Sequence, residues 1–345
     1  MARHLGFSGK RDLLARGMLW SGASFLLSQI PPRDSLMVLT YHRIGNRYDD
    51  PFDPGVISAT SDQFYEQISY LKRKLSLVSL EEALAFVDGT IKEKTRRCRV
   101  LITFDDGYLD NYELAFPILY THDVQGVFFL TTSRVGTSYV PWWDHIAFLI
   151  KTARQRRFTL HYPTNHVVDL EKNGMDISMR NVNYLYSSSE NVDKVRFIRE
   201  LKEESRGEEL PVAFRRYLNW DEARTMINGG MAIGSHTHTH PILSRLGLAE
   251  QRKELSESRN LLTAQLGIEV DTLAYPYGFE TSFSIQSQNL LQEAGYHAAF
   301  SFYGGTNQPG MMQRYDIKRI EAGDQSWSCF RVRSVVCRLT GNYWP

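Results

Sequence analysis

Three histidines occupy alternate positions in IGSHTHTHPIL (residues 233–243): His236, His238 and His240, with Pro241 closing the run. A second stretch, LITFDDGY (101–108), sets two carboxylates, Asp105 and Asp106, side by side. Imidazole pairs joined by a carboxylate form an open site for Zn²⁺ or a similar divalent ion, with positions left for water and substrate. Asp106 is the natural third ligand. Asp105 then stands beside the ion without being consumed by it, as a general base must. A bound metal brings the pKa of water to about 7, and a carboxylate within reach takes the proton during attack. The chemistry expected is metal-assisted hydrolysis of an amide or ester.

The spacing leaves two geometries for the histidines. An extended 236–240 segment would put all three on one face; a helical turn would align His236 with His240 and send His238 away. Gly234 before and Pro241 after argue against a continuing strand, so the turn is expected and His236 and His240 become the metal pair. Asp105 and Asp106 have a plainer alternative, as caps on the helix that follows. If both instead serve one site, the strand pleat must break there, because neighbours on a regular strand point to opposite faces; Gly107 permits the break.

These residues need a scaffold that puts strand ends together. From residue 36 the sequence alternates between short apolar runs and segments of helical spacing. LMVLTYH (36–42), RVLITFDDG (99–107), GVFFLTT (126–132), MAIGSH (231–236), DTLAYPYG and YHAAFSF read as strands. Segments 61–75, 249–266 and 284–294 read as helices. Such alternation implies an α/β fold with a parallel sheet and enough units to close a barrel. TFDDG and GSH then fall at C-terminal strand ends, where barrels and open α/β sheets place reactive groups. Between about 151 and 219 the alternation lapses. RFTLHYPTNHVVDL reads as a hairpin and NVDKVRFIRELKEESRG as a charged surface helix, so this segment is expected to be an insertion over one face.

Bulk properties narrow the partners. Forty basic and thirty-nine acidic residues give a formal charge of +1, which supplies no general field for nucleic acid. Three cysteines without a CxxC pair point away from a disulfide scaffold. KRDLLARGMLWSGASFLLSQIPP reads as a helix stopped by Pro31 and Pro32. Met18 to Ile30 has the length of a signal-peptide core rather than of a span, yet no cleavage-site pattern follows. Residues 1–30 are therefore expected to form a docking or membrane-surface helix, with a signal or anchor as alternatives. A cytoplasmic or membrane-peripheral setting is favoured over export.

TFDDGY, GSHTHTHP and LAYPYG, in that order, resemble the motifs of the polysaccharide deacetylase (NodB-like carbohydrate esterase) family, in its subset with an AYPYG-type third motif. YHRI (41–44) and AGYHAAFS (294–301) resemble its flanking elements, and the likeness runs from about residue 36 to 320. It implies a distorted (β/α) barrel of about seven strands and removal of acetyl groups, mainly N-acetyl, from sugar polymers. Residue by residue it implies Asp105 as base and Asp106, His236 and His240 as metal ligands, in agreement with the geometry above. The AYPYG loop implies that the Tyr277 backbone N–H binds the oxyanion, since Pro276 has no N–H.

The match departs at two places. Where many relatives carry an arginine that holds the catalytic aspartate, this chain has Ala274; Arg319, in DIKRIEAGD, is the expected replacement. The late histidine that protonates the leaving amine is also missing, and His42 at the end of the first strand is the candidate acid or partner of Asp105. Trp142 and Trp143 in SYVPWWDH, together with Tyr275, are candidate sugar contacts. The leading function is N-deacetylation of an N-acetylhexosamine-containing polysaccharide or glycan precursor. Hydrolysis of a non-sugar C–N bond and non-catalytic carbohydrate binding are the alternatives.

Overall fold

The apolar runs become seven parallel strands, and their alternation decides which side chains enter the site. The computed structural model describes residues 8–23, 26, 30, 34–91, 98–189, 192–210, 215–309, 313–323 and 326–340. The chain divides into two compact units, one made of residues up to Gly45, Ser58–Thr137 and Tyr217 onward, the other of Asn46–Ile57 and Ser138–Arg216.

In the first unit the strands are β1 (Leu36–Tyr41), β2 (Arg99–Phe104), β3 (Gly126–Leu130), β4 (Ala232–Ser235), β5 (Thr272–Ala274), β6 (Ala298–Phe300) and β7 (Arg319–Glu321). They lie in the order β6-β5-β4-β3-β2-β1-β7, and a short strand, Ser76–Leu77, pairs with the start of β2. A parallel bridge from Phe300 to Ile317, just ahead of β7, draws the two edges together. The result is a nearly closed seven-stranded parallel barrel.

Strand alternation sorts the residues into two apolar layers. Met37, Leu39, Tyr41, Val100, Ile102, Phe104 and Phe128 pack with Phe64, Ile68 and Leu71 of the Ser61–Lys74 helix. Leu36, Val38, Leu101, Val127, Phe129, Ala274 and Phe300 form the other layer. Tyr41 and Phe128 are the register partners of Phe104 on either side, and the three rings stack at centroid distances of 5.3 and 4.7 Å. Offset pairs of this kind add about 0.5–1.5 kcal/mol each beyond their burial. The stack locks the register of β1, β2 and β3 directly below the residues that follow their ends. Along β2, Leu101 and Thr103 face the second layer, so Asp105 emerges on that same inner side.

Helix starts follow their sequence signals. Thr60 with Gln63, Ser79 with Glu82 and Asn219 with Glu222 each form a reciprocal capping box. After β2 the helix opens as a five-residue π segment, Asn111–Ala115, before Phe116–Thr121; Pro117, lacking an N–H, interrupts the usual ladder there.

At the N-terminus the helix is shorter than the sequence suggested. It spans Ser8–Trp20 and ends where Gly22 takes φ +72°, a conformation that glycine adopts without a steric penalty. Most of the expected continuation toward Pro31 lies outside the described residues. Ala15, Met18 and Leu19 pack on Cys329, Val332 and Val336 of the Trp327–Thr340 helix, while Leu13, Leu14 and Trp20 are exposed. No helix among the described residues is long and apolar enough to cross a membrane.

The second unit has its own core. The Trp142–Lys151, Met175–Ser188 and Lys194–Ser205 helices bury Ile146, Leu149, Val182, Phe197 and Leu201 beside an antiparallel hairpin, Arg157–Leu160 with His166–Asp169. Buried Asp144 accepts from Arg216 Nε at 3.0 Å and from the Asp53 N–H at 3.1 Å, tying the 46–57 segment into this unit.

Candidate active site

The site begins where β2 and β4 end. Asp105 N–H still donates to Tyr41 O as the last rung of the β1–β2 ladder, and then the pleat breaks. The break falls on Asp106 itself as well as on Gly107, with φ +75° and +80°. Asp is among the residues that best tolerate this left-handed region. At Gly107 a Cβ would lie 2.9 Å from the Leu130 side chain, so both conformation and space call for glycine. The break turns Asp106 back so that both carboxylates, each almost wholly buried, serve one pocket.

His236 follows β4, and its N–H donates to Leu130 O. Its Nδ1 lies 2.8 Å from the Ala274 carbonyl, which can only accept, so Nδ1 carries the proton and Nε2 keeps its lone pair. Nε2 points between the carboxylates, 4.0 Å from Asp105 Oδ2 and 3.9 Å from Asp106 Oδ1. His240 Nε2 lies 3.3 Å from Asp106 Oδ1, and the two imidazole rings are 4.8 Å apart.

The expected pairing of His236 with His240 is therefore present, but the path between them is not a helical turn. Thr237 and His240 both take left-handed backbone, at φ +63° and +68°. The expected helical turn does not form because side chains bind the loop's N–H groups instead: Ser235 Oγ accepts from Thr237 N–H and Thr237 Oγ1 from His240 N–H. His238 points away; its Nδ1 meets Thr132 Oγ1 at 2.8 Å.

Donor atoms of Asp106, His236 and His240 lie within 4.8 Å of one another. Bonds of about 2.0–2.2 Å in a tetrahedral array place donors about 3.3 Å apart. The His240–Asp106 separation already has that value, and the His236–Asp106 separation is within reach of a carboxylate rotation. The donor set, two neutral imidazoles and one carboxylate, suits a divalent ion with open positions.

Arg319 enters from β7 with no exposed surface. Its Nη1 and Nη2 donate to Asp105 Oδ1 and Oδ2 at 2.7 and 2.8 Å, and its Nε donates to Ser301 O at 2.9 Å. This fork grips both oxygens of Asp105 and none of Asp106, which leaves the second carboxylate to the imidazoles. Burial by itself would raise the Asp105 carboxyl, but Arg319 and His236 outweigh it and hold the group below the ordinary carboxylate range. Burial lowers His236 against the pull of the two aspartates. It drives His240 well below the usual imidazole value, with Arg134 and His236 adding to the effect. Both rings are thus neutral, with lone pairs available, at neutral pH.

His42 is half-buried after β1 and acts electrostatically on both Asp105 and His240. Its backbone is fixed on both sides: its N–H donates to Ser58 Oγ at 2.9 Å, and its carbonyl accepts from Asn111 Nδ2 at 2.7 Å. Tyr277, at φ +61°, holds its ring 5.2 Å from that of His240 and remains 36% exposed. The AYPYG loop therefore borders the Asp106, His236 and His240 cluster.

Tyr275 differs from expectation. Its ring is buried, stacks on Phe283 at 4.0 Å, and its hydroxyl donates to Tyr315 O. Alternation along the strand turns it into the core, so its side chain cannot touch substrate. Trp142 and Trp143 belong to the second unit, where Trp142 stacks on Tyr186 at 4.5 Å and packs on that unit's core. Arg134 joins the site without any signal in the sequence. It is buried, with Nη1 3.4 Å from Asp106 Oδ1 and 3.2 Å from Tyr217 Oη. An arginine in TTSRVG carries no local signal; the β2–β3 pairing brings it beside Asp106.

The polysaccharide deacetylase family model matches residues 92–299, which is more than half of the chain. The chain belongs to the polysaccharide deacetylase family. The match begins before β2 and ends within β6, taking in Asp105, Asp106, His236, His240 and Tyr277 but neither His42 nor Arg319. Among curated relatives, a poly-β-1,6-N-acetyl-D-glucosamine N-deacetylase of Staphylococcus epidermidis is 28% identical over 118 residues, 31% of this chain and 39% of its own length. A Bacillus subtilis relative is 42% identical over 45 residues, 13% of this chain and 16% of its own. Among solved structures, IcaB from Ammonifex degensii superposes with a TM-score of 0.56 at 20% identity, covering 87% of this chain and 98% of that one. The Streptococcus pyogenes deacetylase PplD gives 0.53 at 17% identity, covering 84% and 92%. These likenesses establish the NodB-like barrel.

Proposed function

We propose that this family member is a metal-dependent N-deacetylase of an N-acetylhexosamine-containing polysaccharide or glycan precursor. The observation that carries the proposal is the division of labour between adjacent carboxylates: Asp105 is gripped by Arg319, while Asp106 faces the two imidazoles. The similarity to a poly-β-1,6-N-acetyl-D-glucosamine N-deacetylase supports the substrate class.

Asp106, His236 and His240 would hold the ion, most suitably Zn²⁺ with this N₂O donor set. A metal bound there supplies a more acidic water and polarises the acetyl carbonyl. Asp105, kept ionised by Arg319, accepts the proton as the water oxygen attacks the amide carbon. The Tyr277 N–H donates to the oxygen on which negative charge develops. His42 gives a proton to the nitrogen as the C–N bond breaks, releasing acetate and leaving an amine on the sugar. Exposed Leu13, Leu14 and Trp20 support association with a membrane surface. Co-sedimentation with anionic vesicles tests this, and equal recovery of wild type and a triple serine variant would count against it.

The test is acetate release from β-1,6-linked N-acetylglucosamine oligomers and from chito-oligosaccharides, with the metal removed by chelator and then restored. Simple acetamides serve as the non-sugar arm. Release that survives complete metal removal would defeat the proposal, as would acetamides turned over better than every glycan.

A further inference from the structure

The loop between the two metal-binding histidines is held in a shape that its own residues resist. Thr237 is β-branched, yet it sits at φ +63°, and His240 joins it at φ +68°. Backbone of this kind persists only where surrounding groups over-determine it. We propose that Glu254, one turn into the Leu248–Leu266 helix, is the positioning residue that imposes this conformation and so sets the affinity of the site for its metal. The inference rests on the metal-site reading above.

The geometry is specific. Glu254 Oε2 accepts from two consecutive backbone N–H groups, His238 at 2.9 Å and Thr239 at 2.8 Å. Oε1 accepts from Thr239 Oγ1 at 2.6 Å. Adjacent N–H groups point to one side only when the chain curls, so a single carboxylate that captures both selects the curled loop over an extended one. An extended loop would carry His240 away from Asp106, because each residue of strand advances the chain by about 3.3 Å. One turn further along the same helix, Ser258 Oγ meets Ser235 Oγ at 2.7 Å, anchoring the residue just before His236. Glu254 and Ser258 thus bracket the motif from one helix face, spaced i, i+4 as a helix requires. Glu254 makes no hydrogen bond to the His236 or His240 ring or to either aspartate; it acts through the backbone and hydroxyl of the loop between them.

Outer groups that orient metal ligands typically govern about 10- to 100-fold in metal affinity. Glu254→Ala is expected to weaken Zn²⁺ binding by about that factor, measured by competition with a chromophoric chelator on protein shown by circular dichroism to be folded. Glu254→Gln keeps a carbonyl oxygen for the two N–H groups and an amide facing the threonine hydroxyl. It should restore affinity to within about threefold of wild type. Glu257→Ala is the control: its carboxylate lies 3.9 Å from His238 Nε2 and 3.8 Å from Lys253 Nζ, accepts from none of the loop N–H groups described above, and is 45% exposed, so it should leave affinity unchanged. In Co²⁺-loaded protein the d–d absorption of Glu254→Ala should shift, which a merely destabilising substitution would not produce. Folded Glu254→Ala that binds Zn²⁺ as tightly as wild type, with an unaltered Co²⁺ spectrum, overturns this inference and leaves the site reading intact. Wild type that takes up no metal overturns both.

Discussion

Replacing Arg319 with alanine puts the ionic pairing of Asp105 to its hardest test. The guanidinium is fully buried and makes two hydrogen bonds to Asp105 at 2.7 and 2.8 Å and one to Ser301 O. Removing one partner of a buried pair typically costs about 3–5 kcal/mol, because the remaining charge stays buried without compensation. At roughly 2–4 °C per kcal/mol for a domain of this order of size, thermal unfolding should fall by about 6–20 °C. The kinetic consequence has its own signature. Without Arg319, burial becomes the dominant influence on Asp105 and its carboxyl rises, so the acid limb of the pH–rate profile moves to higher pH. Near neutrality the rate should drop by about 10²- to 10³-fold, within the range that general-base catalysis supplies. Part of that loss should return as the pH is raised. Arg319→Lys, with one ammonium in place of a two-pronged fork, should fall between the two. The assay is acetate release from pH 5 to 9 on variants confirmed as folded and metal-loaded. A folded Arg319→Ala enzyme with wild-type turnover and an unmoved acid limb would refute the reasoning.

Asp105→Asn should retain metal, since Asp105 is not among the three converging donors, yet lose about 10²- to 10⁴-fold in rate at every pH; metal loss equal to that of Asp106→Asn would contradict the division of roles. In chelator, stability should fall as pH drops below about 6.5. His236 and His240 bind protons more weakly folded than unfolded, so acid favours the unfolded chain by up to about 1.4 kcal/mol per pH unit for each ring. A flat melting profile between pH 7 and 5 would refute that linkage. Phe104→Ala removes the middle ring of the three-strand stack and should cost about 3–5 kcal/mol in a denaturant titration, and a loss under 1 kcal/mol would show that the stack does not fix the register.

Much of this was legible because strand runs announce themselves by composition and reactive groups sit at strand ends. LMVLTYH, RVLITFDDG and GVFFLTT each became a barrel strand, and the break after Phe104 was foreshadowed by Gly107. Arg319 could be singled out only as the replacement for an arginine absent at Ala274; no spacing argument links positions 214 residues apart. The shape of the histidine loop was not legible from Gly234 and Pro241, because Glu254, which accepts from its N–H groups, lies on the next helix. Tyr275, a candidate sugar contact from its place in the AYPYG motif, is turned inward by the alternation that continues from β5. Nothing in the sequence links the Asn46–Ile57 segment to the second unit, yet its Asp53 is tied to Asp144, some ninety positions on. Pairings that distant leave no periodic trace.

The order of the strands has a consequence for a chain leaving the ribosome. Among the described residues β7 is the last barrel strand in the sequence, yet it lies against β1, the first, and it carries Arg319. A nascent chain that stops short of it already contains Asp106, His236 and His240 but leaves the Asp105 carboxylate without its cation and β1 with an open edge. The buried ion pair at Asp105 therefore forms only once this late strand has been made and has closed on the early one.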